Sequence, residues 1–205
     1  MTQQEREFLE KKLGLLPEQI EKIERLVKLI TKWNKKTNIT GLKTEKEILE
    51  ELVIDSMMPL VLTKPESPVM DAGCGGGFPT LPLKIAEPSL TICSVDSNRK
   101  KINFLRNCIR ELNLEGIEPV NERIENLKEL HGSFKTVTSK AFLPPDEAVK
   151  ALAPFLSPEG KLIIFATEKT AKLLEPALRE KAHIIPYTLP FSRKKRCLII
   201  VPQAV

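Results

Sequence analysis

Histidine is almost missing from this chain, whose 205 residues hold two, His131 and His183. A mechanism built on imidazole proton transfer has few candidates, and both lie in weakly patterned stretches. Cysteine is scarce too. Cys74, Cys93, Cys108 and Cys197 have neither the density of a disulfide scaffold nor the paired spacing of a zinc site, so no metal is expected. No run approaches the roughly 18 apolar residues that a membrane crossing needs. The opening Met1-Thr2-Gln3-Gln4-Glu5-Arg6-Glu7 lacks the apolar core of a secretory signal. The expectation is a monomer of the reducing cytoplasm with no membrane contact.

Apolar residues make up 41% of the chain, charged residues 29%, and the net charge is +5. A chain of this size buries about 70% of its surface on folding. That suffices for one α/β core with a small helical appendage, and the composition excludes global disorder. The charge is unevenly placed. Lys28, Lys32, Lys35, Lys36 and Lys43 stand without an acid among them, Arg99, Lys100, Lys101, Arg106 and Arg110 nearly so, and Arg193-Lys194-Lys195-Arg196 is an unbroken basic run. Acids outnumber bases over 114–160. Such segregation suits a polyanion on one face, although lysines also merely solvate helices. Four adjacent positive charges need a negative partner.

Thr2 with Glu5, and Thr44 with Glu47, read as capping boxes. Pro17 suits a first helical turn, followed by the stripe Ile20, Ile23, Val27, Ile30. Residues 1–63 are expected to form a helical extension that leans on the domain following it, over 64–205. From residue 68, short apolar runs alternate with helical patterns, the mark of βαβ units and a mostly parallel sheet. Strands are expected at Val69–Asp71, Thr91–Asp96, Glu118–Val120, Thr136–Ser139 and Leu162–Phe165, with helices at about 80–86, 98–113, 146–155 and 169–181. His183–Leu189 and Cys197–Val201 have no helix between them and should pair as an antiparallel hairpin. The fold class is α/β, a doubly wound, mostly parallel sheet.

The most informative segment is Asp71-Ala72-Gly73-Cys74-Gly75-Gly76-Gly77-Phe78-Pro79, between an expected strand and an expected helix. Glycines there let the backbone approach a ligand closely, and the free amides of a helix start face the same crevice. A dinucleotide fingerprint wants glycines at positions one, three and six. Counted from Gly73, the sixth is Phe78. A Walker A loop fails as well, because no Gly-Lys-Ser or Gly-Lys-Thr follows. Asp96, ending the next strand, can accept both hydroxyls of a ribose or cap the helix beginning near Asn98. Phe78 and Ile124 are apolar walls for an adenosine or ordinary core. Asn34, Asn38 and Thr40 either cap and stabilise a turn or touch a ligand.

What remains, an acid and then Gly-x-Gly-x-Gly, resembles the S-adenosylmethionine loop of doubly wound methyltransferases. Further stretches narrow the likeness: Trp33-Asn34-Lys35-Lys36-Thr37-Asn38-Ile39-Thr40, Ile54-Asp55-Ser56, Leu81-Pro82-Leu83, Asp96-Ser97-Asn98-Arg99-Lys100-Lys101 with Phe104-Leu105, Asn121-Glu122-Arg123-Ile124-Glu125, and Ser139-Lys140-Ala141-Phe142. In these the chain is similar to the guanine-N7 methyltransferases of bacterial small-subunit ribosomal RNA, the methyltransferase G family (formerly glucose-inhibited division protein B). The resemblance implies the seven-stranded class I S-adenosylmethionine-dependent methyltransferase fold. It also implies S-adenosylmethionine as cofactor, and 16S ribosomal RNA or the small-subunit particle as partner.

By the same resemblance, cofactor contacts fall at Gly73, Phe78, Ile124 and Glu125, and at Lys140, where the family usually has arginine. Asp71 would act on the cofactor's ammonium directly or through water, the amides around Gly75 and Gly77 on its charged end, and Asp96 on its ribose. Other departures are Glu51-Leu52 for the usual Arg-His, Thr80 for a glycine, and Phe165-Ala166-Thr167-Glu168 for Ala-Leu-Lys-Gly. Guanine N7 carries a lone pair and no proton, so no catalytic acid or base is expected. Lys32, Lys35, Lys36, Arg99, Lys100, Arg193, Lys194, Lys195 and Arg196 are the candidates for phosphate contacts.

Overall fold

A computed structural model describes residues 1–203. The chain opens with α1 (Gln3–Lys11) and α2 (Pro17–Asn34). Thr2 caps α1 by accepting from the Glu5 amide while the Glu5 carboxylate accepts from the Thr2 amide, the reciprocal pair expected from the sequence. Pro17 stands at the first turn of α2, where its missing N–H costs nothing. Next come α3 (Glu45–Glu47), a π-helical stretch Ile48–Ile54 that the sequence did not announce, and α4 (Asp55–Leu62).

The βα alternation follows: β1 (Val69–Ala72), α5 (Thr80–Ala86), β2 (Ile92–Val95), α6 (Arg99–Glu111), β3 (Ile117–Val120), β4 (Phe134–Lys140), α7 (Pro145–Leu152) and β5 (Leu156–Ala166). Two short helices, α8 (Glu168–Ala171) and α9 (Pro176–Lys181), lead to β6 (His183–Thr188) and β7 (Lys195–Pro202). The single helix expected over 169–181 is therefore two. Pro176 has no N–H for a helical bond and its ring clashes with the preceding turn, so it starts a new helix instead of continuing the old one.

The sheet has seven strands in the order β3-β2-β1-β4-β5-β7-β6. Pairings are parallel from β3 through β5, and β7 runs antiparallel to both β5 and β6. The order reverses beside β1, which opens a crevice beyond the carboxyl ends of β1, β2 and β4. Among the described residues no helix is long and apolar enough to cross a membrane.

One apolar cluster runs without a break from Leu9, Ile23 and Ile30 of the first helices to Leu81, Phe104 and Leu105 of α5 and α6. Residues 1–63 thus share their core with the sheet domain. Gln19 fastens the two by donating to the carbonyls of Ile85 (2.9 Å) and Ala86 (3.0 Å), which the end of α5 leaves free. Asn34 holds the turn after α2. Its side-chain oxygen accepts from the Ile39 and Thr40 amides and its nitrogen donates to the Leu42 carbonyl. This capping role places Ile39 against Gly76 of the glycine loop.

Candidate active site

The loop after β1 turns on three glycines with left-handed backbone, Gly73 (φ +67°), Gly75 (φ +55°) and Gly77 (φ +91°). Gly73 has a second requirement. A Cβ there would lie 2.2 Å from the Phe142 ring, so glycine alone permits that close approach. Gly73, Asp96, Ile124 and Glu125 come together around one crevice, with Val95, Ser97, Glu122, Arg123 and Phe142 completing it. Phe142 enters the sequence reading only as the end of the Ser139–Phe142 stretch and not as a site residue, because its place beside Gly73 depends on the turn after β4. Its ring over Gly73 restricts the crevice to about 140 Å³.

Asp96 is held by its surroundings. One carboxylate oxygen accepts from the Gly75 amide (2.8 Å), the other from the Asn98 amide (2.7 Å). Asn121 donates to the Asp96 carbonyl. The cap of α6 is Asn98, which accepts from the Lys100 and Lys101 amides, so the capping alternative for Asp96 falls away. A carboxylate offers about four acceptor positions, and two remain for a ligand. Glu125 stays ionised on the opposite rim: its own amide and the Arg123 side chain hold its carboxyl below the usual range.

Asp71 corrects the expectation. It is 1% exposed and does not line the crevice. Thr80 donates to it through both amide (3.1 Å) and hydroxyl (2.6 Å), and Thr138 through its hydroxyl (3.1 Å). Buried behind the loop, it fixes the start of α5, and Thr80 supplies two of the three bonds. Phe78 is also displaced, being 7% exposed within the helix-side core. Gly77 packs against Leu81 and Leu105, and Gly75 contributes through its bond to Asp96.

Burial raises the Asp71 carboxyl to about 6, against the hydrogen bonds that favour its charged form. The folded chain then holds this proton more tightly than the unfolded one, so stability falls as pH rises from about 4 to 7. The full shift corresponds to about 3 kcal/mol. Urea denaturation between pH 4 and 7 should show most of that decline, and Asp71→Asn should flatten it. Burial likewise pushes the Cys74 thiol well up, which removes it as a nucleophile.

Comparison with known proteins decides the family. The model of the family described as rRNA small subunit methyltransferase G matches residues 19–198. The chain belongs to that family. A member from Geobacter sp. (strain M21) is 32% identical over 98% of this chain and 99% of its own length. One from Streptococcus equi subsp. zooepidemicus is 33% identical over 86% and 80%. Among solved structures, a SAM-dependent methyltransferase from Aquifex aeolicus superimposes with a TM-score of 0.57 at 15% identity, over 76% of this chain and 92% of its own. A precorrin-6y C5,15-methyltransferase from Geobacter metallireducens gives 0.53 at 18%, over 73% and 86%. These two establish the fold, the class I S-adenosylmethionine-dependent methyltransferase sheet.

Lys140, expected among the cofactor contacts, does not line the cofactor crevice. Its ammonium pairs with the Asp55 carboxylate, whose other oxygen accepts from the Tyr187 hydroxyl (2.7 Å). Lys140 lines a neighbouring cavity instead. A lysine is shorter and lacks the planar fork that would let it bridge both sides.

The basic candidates divide in two. Lys32, Lys35, Lys36, Arg99, Lys100 and Arg193 are exposed and in no ion pair among the described residues. Lys194 and Arg196 are paired with Glu51, and Lys195 with Glu168, so the chain itself supplies the negative partners its basic run requires. That corrects the expectation of four free phosphate-binding charges. Glu50 reinforces the contact by accepting from the Phe191 and Ser192 amides.

Proposed function

We propose that this chain transfers the methyl group of S-adenosylmethionine to N7 of a guanine in 16S ribosomal RNA. The observation that carries the cofactor assignment is the pairing of Gly73, which a Cβ would block, with Asp96, whose free acceptor positions suit ribose hydroxyls. Ile124 offers the apolar wall of the same crevice. The site must widen to reach the 300 Å³ or so of a small-molecule pocket, and the Phe142 ring is the part that has to leave Gly73. Bound S-adenosylmethionine supplies an electrophilic methyl group on a sulfonium.

The rest of the chemistry is alignment. The N7 lone pair attacks without losing a proton, so the protein has to hold the base in line and exclude water. The exposed lysines and arginines hold the RNA by its phosphates without reading its sequence. The four cysteines, free in the structure, fit action in the reducing cytoplasm.

Mass mapping of ribosomal RNA from cells lacking the protein tests the assignment: one N7-methylguanine in 16S RNA should disappear and return on complementation. An unchanged map would refute it. The charge division gives a second test. Removing Lys35 and Lys36 together should flatten the salt dependence of RNA affinity by about 1.5 to 2 in log–log slope. Removing Lys194 and Arg196 should flatten it by no more than about 0.7 to 0.9, because Glu51 offsets one of their two charges. Affinity titrations at several salt concentrations would read both.

A further inference from the structure

We propose that the cavity across the Lys140–Pro145 turn from the cofactor crevice receives the target purine base, with Phe165 as its stacking face. This rests on the proposed RNA methyl transfer and names the acceptor side of that reaction.

The turn after β4 contributes residues to both sites. Ala141 has a left-handed backbone (φ +55°), unusual for a residue with a Cβ. That reversal sends neighbouring side chains to opposite sides: Phe142 lines the cofactor crevice, while Lys140, Ala141 and Leu143 line the second cavity. Transfer needs sulfur, methyl carbon and N7 in line with nothing between them, so the Phe142 ring, which has to leave Gly73 for the cofactor to enter, has to open the way between the two sites as well. Both sites lie beyond the carboxyl ends of strands, where doubly wound sheets bind their ligands.

The cavity, about 320 Å³, is large enough for a base turned out of its stack. Its lining argues for a base against a phosphate. Two cations border it: Lys140 is matched by Asp55, and Arg196 shares Glu51 with Lys194. A phosphate would find at most part of one charge free. What remains is the half-buried ring of Phe165, with the Lys140 ammonium 5.1 Å from its centre, and the hydroxyls of Thr167 and Thr170 at the edge. A planar, polar-edged, neutral group fits that set. A purine that gains positive charge at N7 is also better tolerated where carboxylates have cancelled the cations than beside free ones.

The test uses the full-length protein, tritiated S-adenosylmethionine, and small subunits from cells lacking the protein. Phe165→Ala should lower kcat/KM for the RNA about 5- to 150-fold, the range that loss of one base-stacking contact gives. Cofactor affinity should stay within twofold, and Phe165→Tyr should restore transfer. Transfer by Phe165→Ala equal to the unmutated protein would overturn the base site while leaving the proposed function standing. No transfer by the unmutated protein would overturn both. Should Phe165→Ala not fold, the unmutated chain decides: RNA carrying 6-thioguanosine at the mapped position is irradiated in the complex. A crosslink to residues 140–145 or 165–170 supports the site, and one elsewhere, as at Trp33, refutes it.

Discussion

Asp55→Asn is expected to cost about 3 kcal/mol of folding stability, a large share of what a domain of this size has. Asp55 is 2% exposed and Lys140 15%. Asparagine keeps the shape and can still accept from Tyr187, so the change isolates the charge. It leaves the Lys140 ammonium in a place where little water reaches it, with no carboxylate opposite. Removing one member of a buried pair is more damaging than removing both. The double variant Asp55→Asn/Lys140→Met should therefore recover much of the loss, and a double-mutant cycle in urea would measure the coupling. Single-variant losses that simply add would show that the pair is not a unit. The Tyr187 hydroxyl, pushed upward by burial and by Asp55, stays protonated throughout and remains a donor to whatever stands at position 55.

Asp96→Ala should weaken S-adenosylmethionine binding by more than 100-fold while RNA affinity stays within about twofold. Hydrogen bonds to a charged acceptor contribute about 1.5–3 kcal/mol each, and a ribose offers two. The variant also frees the Gly75 and Asn98 amides, so the loop loses the anchor that fixes it to β2. Calorimetric titration of cofactor and filter binding of RNA would separate the effects. A cofactor dissociation constant within threefold of the unmutated protein would remove Asp96 from the site. Asp96→Asn should fall between, since its one oxygen can serve the loop or the ligand but not both fully.

The sheet was legible because each of its parts announces itself locally. Apolar runs of strand length, the stripe Ile102, Leu105 and Ile109, and the caps at Thr2 and Thr44 each act within a turn or two of chain, whereas the cap of α6 fell to Asn98 and not to Asp96. Of the crevice, Gly73, Asp96, Ile124 and Glu125 were foreseen because they end strands or follow them, and strand ends converge wherever a sheet is parallel. Asp71 was misplaced for the converse reason. Its position in the motif is right, but whether a carboxylate at a strand end points to the crevice or away depends on what lies behind it, here Thr80 and Thr138. Phe78 went inward because the helices before residue 63 give it a core to join.

The order of elements, the place of the glycine turn and the carboxylate that ends β2 belong to the sequence by itself, since they follow from periodicity, capping and backbone freedom over short spans. Which charges are free and which are spent belongs to the tertiary structure. Glu51 lies far from Lys194 and Arg196 along the chain, as Asp55 does from Lys140 and Tyr187, and each meets its partners because the helical extension packs against the hairpin of β6 and β7 and the end of β4. Coulomb interactions depend on distance in space and on exclusion of water, and a linear sequence encodes neither until it has folded.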